Sequence, residues 1–256
     1  MGTMGLGLQM YTMRPHTRTR EETAATLKAV AAMGYRAVQV QPDCCPLALE
    51  EIGELARASD LAICATHVST DWIFQDTSAV ITAHKAIGCD YVGIGAMDER
   101  YANSCEGFAE FARRYNQAGR MIAESGLRLI YHNHQFEFRR YDGRLGMEIL
   151  IDEFDPSICF ELDTYWAQTG GADPAAWIRA LAGRLPVVHF KDMALEEGNR
   201  QVFAPVGEGN MNWSGIIAAC REARVSWCVV EQDTCARSAF DCVRSSLKYL
   251  NGLGIE

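Results

Sequence analysis

The feature that most constrains this chain is a rhythm. Short apolar runs recur from one end to the other, at about Gly5–Met10, Ala37–Val40, Leu61–Thr66, Tyr91–Ile94, Leu127–His132, Ile158–Leu162, Val187–Phe190 and Trp227–Val230. Most have no regular polar face, so they predict strands buried on both sides, as in a parallel sheet. Between them the pattern turns helical. Thr19 reads as an N-cap with Glu21 and Glu22 in the first turn, and that helix runs to Met33 before Gly34 stops it. Further helices are expected at about Leu47–Ala58, Ser78–Ile87, Cys105–Ser125, Met147–Phe154 and Trp213–Glu222. Asp173-Pro174 opens another, and a last one ends near Leu250. Eight strands alternating with eight helices predict an α/β fold, a (β/α)8 TIM barrel in a single domain over residues 1–256. The rival, an open doubly wound sheet, lacks its Gly-x-Gly-x-x-Gly after the first strand.

Composition narrows the partners. Apolar residues make up 48% and charged residues 22%, the balance of a soluble globular protein. No run approaches the ~20 apolar residues of a membrane span, and MGTMGLGLQMYTMR lacks the order of a secretory signal. A net charge of −9 and no basic stripe argue against a nucleic-acid partner. The ten cysteines form no Cys-x-x-Cys, and Cys64, Cys159 and Cys228 lie inside apolar runs as small hydrophobes. Reduced thiols and a cytoplasmic location are therefore expected.

Barrel chemistry sits at the C-terminal ends of strands. Four of the six histidines fall there: His67, His132, His134 and His189. One such histidine reads best as a satisfied core residue. Four of them, with acids ending strands six and eight, do not. His132, Asp163, His189 and Glu231 would converge from four successive strands. Two imidazoles and two carboxylates suit a borderline divalent ion such as Mn, Co or Zn. Period-two alternation turns His132 and His134 to the same face.

A resemblance then becomes specific. LQMYTMR, GYRAVQV, YHNHQFEF, ELDTYWAQTGGADP, VVHFKDM, FAPVGEGNMNW and VVEQDT occur in this order over nearly the whole chain. Together they resemble the xylose isomerase-like TIM barrel superfamily, in the sugar phosphate isomerase/epimerase group related to inosose dehydratases and ketose 3-epimerases. The resemblance implies one divalent metal ion (Mn, Co, Zn or Mg), with Asp163, His189 and Glu231 matching its ligands directly. The strand-five glutamate of the ketose epimerases falls on His132 here, and His134 is the alternative ligand.

The function this resemblance implies is that of a sugar, sugar phosphate or polyol isomerase or epimerase acting through a metal-stabilised enediolate. Glu231 or His134 would move the proton, and Lys191 would support the oxyanion or protonate a leaving hydroxyl. Gln9, Tyr11, His67, Trp72, Glu137 and Trp166 are expected to touch the substrate, a small carbohydrate. The runner-up is a dehydratase or lyase of a keto-sugar or inosose, because inosose dehydratases carry a similar histidine-rich strand-five stretch. An endonuclease IV-like repair enzyme is remote, since it needs about three metals and a basic face. A non-catalytic sugar-binding barrel is the remaining class. Relatives often form dimers or tetramers, so a homo-oligomer lies within the expectation. The simpler readings are that Trp166 and Tyr165 pack, that Lys191 pairs with Asp192 or Glu161, that Glu161 bonds to a neighbour deep in the barrel, and that Glu208 is structural.

Overall fold

Strand residues alternate between two faces, and the buried residues of this chain divide along that alternation. In the computed structural model, which describes residues 4–255, the barrel strands are β1 (Gly5–Gln9), β2 (Ala37–Val40), β3 (Ala62–Thr66) and β4 (Tyr91–Ile94). They continue with β5 (Arg128–His132), β6 (Cys159–Asp163), β7 (Val187–Phe190) and β8 (Trp227–Val230). All pair in parallel, in the order β3-β2-β1-β8-β7-β6-β5-β4. The two ends of this sheet meet where the Val68 N–H donates to the Gly93 carbonyl at 3.0 Å. A Cβ on Gly93 would stand 2.0 Å from the Thr66 carbonyl oxygen, so only glycine lets β3 and β4 come together. The fold is the expected (β/α)8 barrel.

Outward-facing Leu8, Val38, Leu129, Phe160, Val188 and Val230 join the large core shared with the surrounding helices. Inward-facing Ala37, Cys64, Ile130, Val187 and Val229 form a second, separate apolar cluster. Two residues further along β2, β5, β7 and β8, the same inner face carries Gln39, His132, His189 and Glu231. The interior therefore grades from apolar at its base to polar at its mouth.

The helices begin and end where side-chain chemistry directs. Thr19 Oγ1 accepts from the Glu22 N–H at 3.2 Å, and Gly34 closes the same helix in the left-handed region at φ 116°. Ten α-helices stand among the described residues, two more than the rhythm predicts. The additions, Thr70–Gln75 and Thr164–Thr169, come directly after β3 and β6 and are too short to show periodicity. The stretch after β7 contains an antiparallel hairpin, Asp192–Glu196 with Arg200–Ala204. Met10, expected in strand one, instead opens a 3-10 turn over Met10–His16. Among the described residues no helix is long and apolar enough to cross a membrane.

Asp192 organises the chain beyond β7. Its fully buried carboxylate accepts from the Gly207 and Gly209 amides at 2.8 and 3.1 Å and from the Trp213 indole at 2.7 Å. It also accepts from the Met193 amide at 2.8 Å. A Cβ on Gly209 would lie 2.3 Å from that carboxylate. Glu208 points elsewhere, to Arg237 at 2.6 Å, in the structural role expected of it. Asp192→Ala should orphan these buried donors and cost about 3 kcal/mol of stability, read from the urea midpoint. A change within ~0.5 kcal/mol would refute the assignment.

Candidate metal centre

Four side chains meet at the barrel mouth because four successive strands end with the same inward parity. His132, Asp163, His189 and Glu231 each present a donor atom, and these atoms lie within 4.8 Å of one another. His132 Nε2 stands 3.4 Å from Asp163 Oδ2, and His189 Nδ1 stands 3.7 Å from Asp163 Oδ2 and 3.0 Å from Glu231 Oε2. Donors roughly 2.1 Å from a common ion are separated by about 3–4 Å, so the set matches one divalent ion. His132 Nε2 and Asp163 Oδ2 are also buried with no hydrogen-bond partner. Buried polar atoms seldom stay unpaired, so these two are candidates to meet a ligand.

Three of the four donors are aimed by a second contact on the far side. His132 Nδ1–H donates to the Gly95 carbonyl at 3.0 Å, which leaves Nε2 with its lone pair toward the mouth. His189 Nε2 faces Gln39 Oε1 at 2.6 Å and Glu161 Oε1 at 3.0 Å, which leaves Nδ1 for the mouth. Asp163 Oδ1 caps the helix Thr164–Thr169 by accepting from the Trp166 N–H at 2.8 Å, so Oδ2 is the free oxygen. Asn133 Oδ1 in turn accepts from the Asp163 N–H at 2.9 Å.

Charge is concentrated here. Burial opposes ionisation of Asp163 and Glu231, yet both are held far below the usual carboxylate range by the Lys191 ammonium and neighbouring imidazoles. Glu161 is likewise depressed, by His189 and His67. Burial disfavours a cationic Lys191, but Glu231, Asp163 and Asp233 outweigh it and raise its pKa. Burial pushes His134 down to about 3, so its imidazole is neutral. Burial and the adjacent Glu231 raise Asp233 to about 6.

The metal set borders a cavity of about 410 Å³. Of the residues expected to meet the substrate or do chemistry, Tyr11, His67, His134, Trp166, Lys191 and Glu231 line it, as does His132. Three expected substrate contacts are corrected. Trp72 lies in the helix Thr70–Gln75 and packs against the core. Glu137 is fully buried, accepting from the Tyr131 hydroxyl at 2.6 Å and the His134 amide at 2.9 Å. Gln9 is fully buried outside the lining, its Oε1 accepting from the Tyr11 amide at 3.2 Å. The simple pairing expected of Lys191 is also replaced. Its Nζ lies 2.6 Å from Asp233 and 3.0 Å from Glu231, and it sits 5.0 Å from the centre of the Trp166 ring. Tyr165 packs as the simpler reading expects, 4.3 Å from Phe203. Sequence reasoning gives no role to Asp233 or Gln39. Both share inward parity with a recognised residue, Asp233 two beyond Glu231 and Gln39 two beyond Ala37.

Comparison with known proteins agrees with the barrel fold. The family model described as xylose isomerase-like TIM barrel matches residues 27–251. A sugar phosphate isomerase/epimerase from Parabacteroides distasonis superposes with a TM-score of 0.84 at 20% identity, covering 100% of this chain and 96% of that one. A probable 3-DHS dehydratase involved in petrobactin synthesis in Bacillus anthracis gives 0.73 at 15%, covering 97% and 99%. A D-allulose 3-epimerase from Methylomonas sp. gives 0.69 at 14%, covering 98% of each. No curated protein matches the chain.

Two outcomes are expected. His132→Ala, Asp163→Ala and Glu231→Ala should each lose stoichiometric divalent metal by elemental analysis, while Glu161→Gln should bind it about 10–100-fold more weakly. Full metal retention in all four would refute the site. Burial also raises Glu137 to about 8, above its ordinary 4.5. The folded state then holds a proton that the unfolded chain has released, so this group's contribution to stability is complete below about pH 4.5 and is lost as pH rises toward 8. The melting temperature of Glu137→Gln should therefore gain on the parent between pH 5 and 8. A constant difference across that range would refute this.

Proposed function

Because the chain belongs to the xylose isomerase-like TIM barrel family, we propose that it is a single-domain, divalent-metal-dependent isomerase or epimerase of a sugar or polyol. The observation that carries this reading is the convergence of His132, Asp163, His189 and Glu231 beside a polar cavity, with two of their donor atoms buried and unpaired. When bound, a divalent ion such as manganese would supply Lewis acidity that lowers the cost of forming an enediolate.

The chain's own residues do the rest. Glu231 is ionised through the neutral range, so a proton-accepting carboxylate always faces the cavity. His134 faces it from the far side of β6 and β7, neutral and with a buried Nδ1 that has no partner. Either group can take up the substrate's proton; Glu231 can then return it to the adjacent carbon, as an isomerase needs, while inversion at one carbon draws the returning proton from solvent on the His134 side. Lys191 stays protonated and presents an ammonium to developing negative charge on oxygen. Trp166 and Tyr11 offer ring faces to the C–H side of a sugar. The reaction runs in a reducing cytoplasm, where all ten cysteines remain free thiols.

A second reading, a dehydratase, is favoured by one observation. Lys191 is the one lysine or arginine among the described residues lining the cavity, and its ammonium can donate a hydrogen bond to a departing β-hydroxyl and steady the charge that develops there. Incubating metal-loaded protein in D2O with a panel of ketoses and inososes separates the two. Isomerisation or epimerisation conserves the carbon skeleton and its water while washing in solvent deuterium; dehydration loses water and creates an enone absorbance. Lys191→Met with metal retained should lower turnover about 10²–10⁴-fold. No deuterium uptake and no enone with any member of the panel would sink both readings.

A further inference from the structure

The cavity's charge bears on what it admits. Asp43 stands exposed at its rim, and Glu231 and Asp233 stand on its wall. Asp163 lies just behind, with its free oxygen toward the same space. Among the described residues that line the cavity, Lys191 is the one lysine or arginine, and its charge is already met by carboxylates of the chain. Asp233 lies 2.6 Å away, Glu231 3.0 Å and Asp163 3.6 Å. Four carboxylates against one ammonium and one divalent ion leave a net negative charge even in the loaded site.

The usual devices for holding a phosphate are occupied elsewhere. The amides of Gly207 and Gly209, in the glycine-rich VGEG stretch, are bound to the chain's own Asp192 at 2.8 and 3.1 Å. The start of Thr164–Thr169 is capped by Asp163 at 2.8 Å. The helix that opens at the cavity, Thr70–Gln75, is six residues long and carries Asp71 in its first turn. Arg14, the nearest arginine to strand one, is folded back. It donates to the Tyr11 carbonyl at 2.8 Å and the Asp233 carbonyl at 2.7 Å, and stacks 4.0 Å over the Tyr11 ring. Among the described residues at the cavity, no free guanidinium is left to meet an anion.

Resting on the reading of the site as a sugar isomerase or epimerase, we propose that its substrate is an uncharged polyhydroxylated carbonyl compound and that phosphate esters are excluded. Hydroxyl groups donate to carboxylates, so Asp43, Asp233 and Glu231 suit a neutral sugar, whereas a phosphate dianion meets them as like charges. Trp166 and Tyr11 complete a lining with apolar ring faces and acceptor-rich edges.

The test measures binding and does not depend on turnover. Metal-loaded protein is titrated calorimetrically with D-fructose, D-tagatose and D-sorbose, and with the 6-phosphate of each. The phosphates should bind at least about ten-fold more weakly than their neutral partners. The gap should shrink in about 0.5 M NaCl, where screening shortens the reach of the wall's charge. Asp43→Lys, at the exposed rim, should shrink it as well. Equal or tighter binding of the phosphates, a gap indifferent to both salt and Asp43→Lys, or no binding by any neutral sugar would overturn the proposal. A neutral sugar that binds with this preference yet exchanges no deuterium would overturn the catalytic reading and leave the charge preference standing.

Discussion

A carboxylate at the centre of a barrel, out of reach of water, persists only where donors and cations enclose it. Glu161 is in that position, with none of its surface exposed. Gln39 donates to it at 2.9 Å, and the imidazoles of His67 and His189 close on its two oxygens. Because Gln39 spends its amide N–H on Glu161, its carbonyl oxygen turns to His189 Nε2. That contact rotates Nδ1 of His189 toward the mouth. His67, held from below by the same carboxylate, becomes a wall of the cavity. The layer beneath the mouth thus sets the orientation of the layer that carries the converging donors.

This layering explains how much of the molecule is legible in its sequence. The eight strands can be read because each is short, apolar and bounded by helical pattern, and because parallel strands buried on both faces have no other economical reading. The four converging donors can be read because parity holds for as long as a strand lasts. It fails beyond the strand end. Glu137 comes three residues after His134, but the chain has left β5 at Asn133 and turned through a 3-10 segment at Phe136–Phe138, which carries Glu137 behind the wall. Trp72 departs from its expected place for a similar reason, since a six-residue helix after β3 turns the indole onto the core. Asp192 and its partners cannot be read at all. Gly207, Gly209 and Trp213 lie 15 to 21 residues downstream, and nothing local says that one carboxylate will gather them.

The histidine that ends β5 changes the character of the mouth. The ketose epimerases resembled by this chain have a glutamate there, so His132 removes one negative charge and one potential base. Under the proposed function, proton handling would rest on groups of different kinds, an ionised Glu231 and a neutral His134, and not on a matched pair of carboxylates. The mouth nonetheless remains acidic, through Asp43 and Asp233, neither of which is among the four converging donors.

Asp163 divides its two oxygens between separate tasks, one ending a strand by starting a helix and the other facing the cavity. A side chain with that division of labour has no conservative replacement. Asparagine could still start the helix but would bring no charge to the cavity. Glutamate would keep the charge, but one added methylene would pull an oxygen away from either the helix or the cavity. Drift at this position is therefore expected to be frozen even against chemically similar neighbours, and any attempt to retune the cavity has to begin somewhere else on its rim.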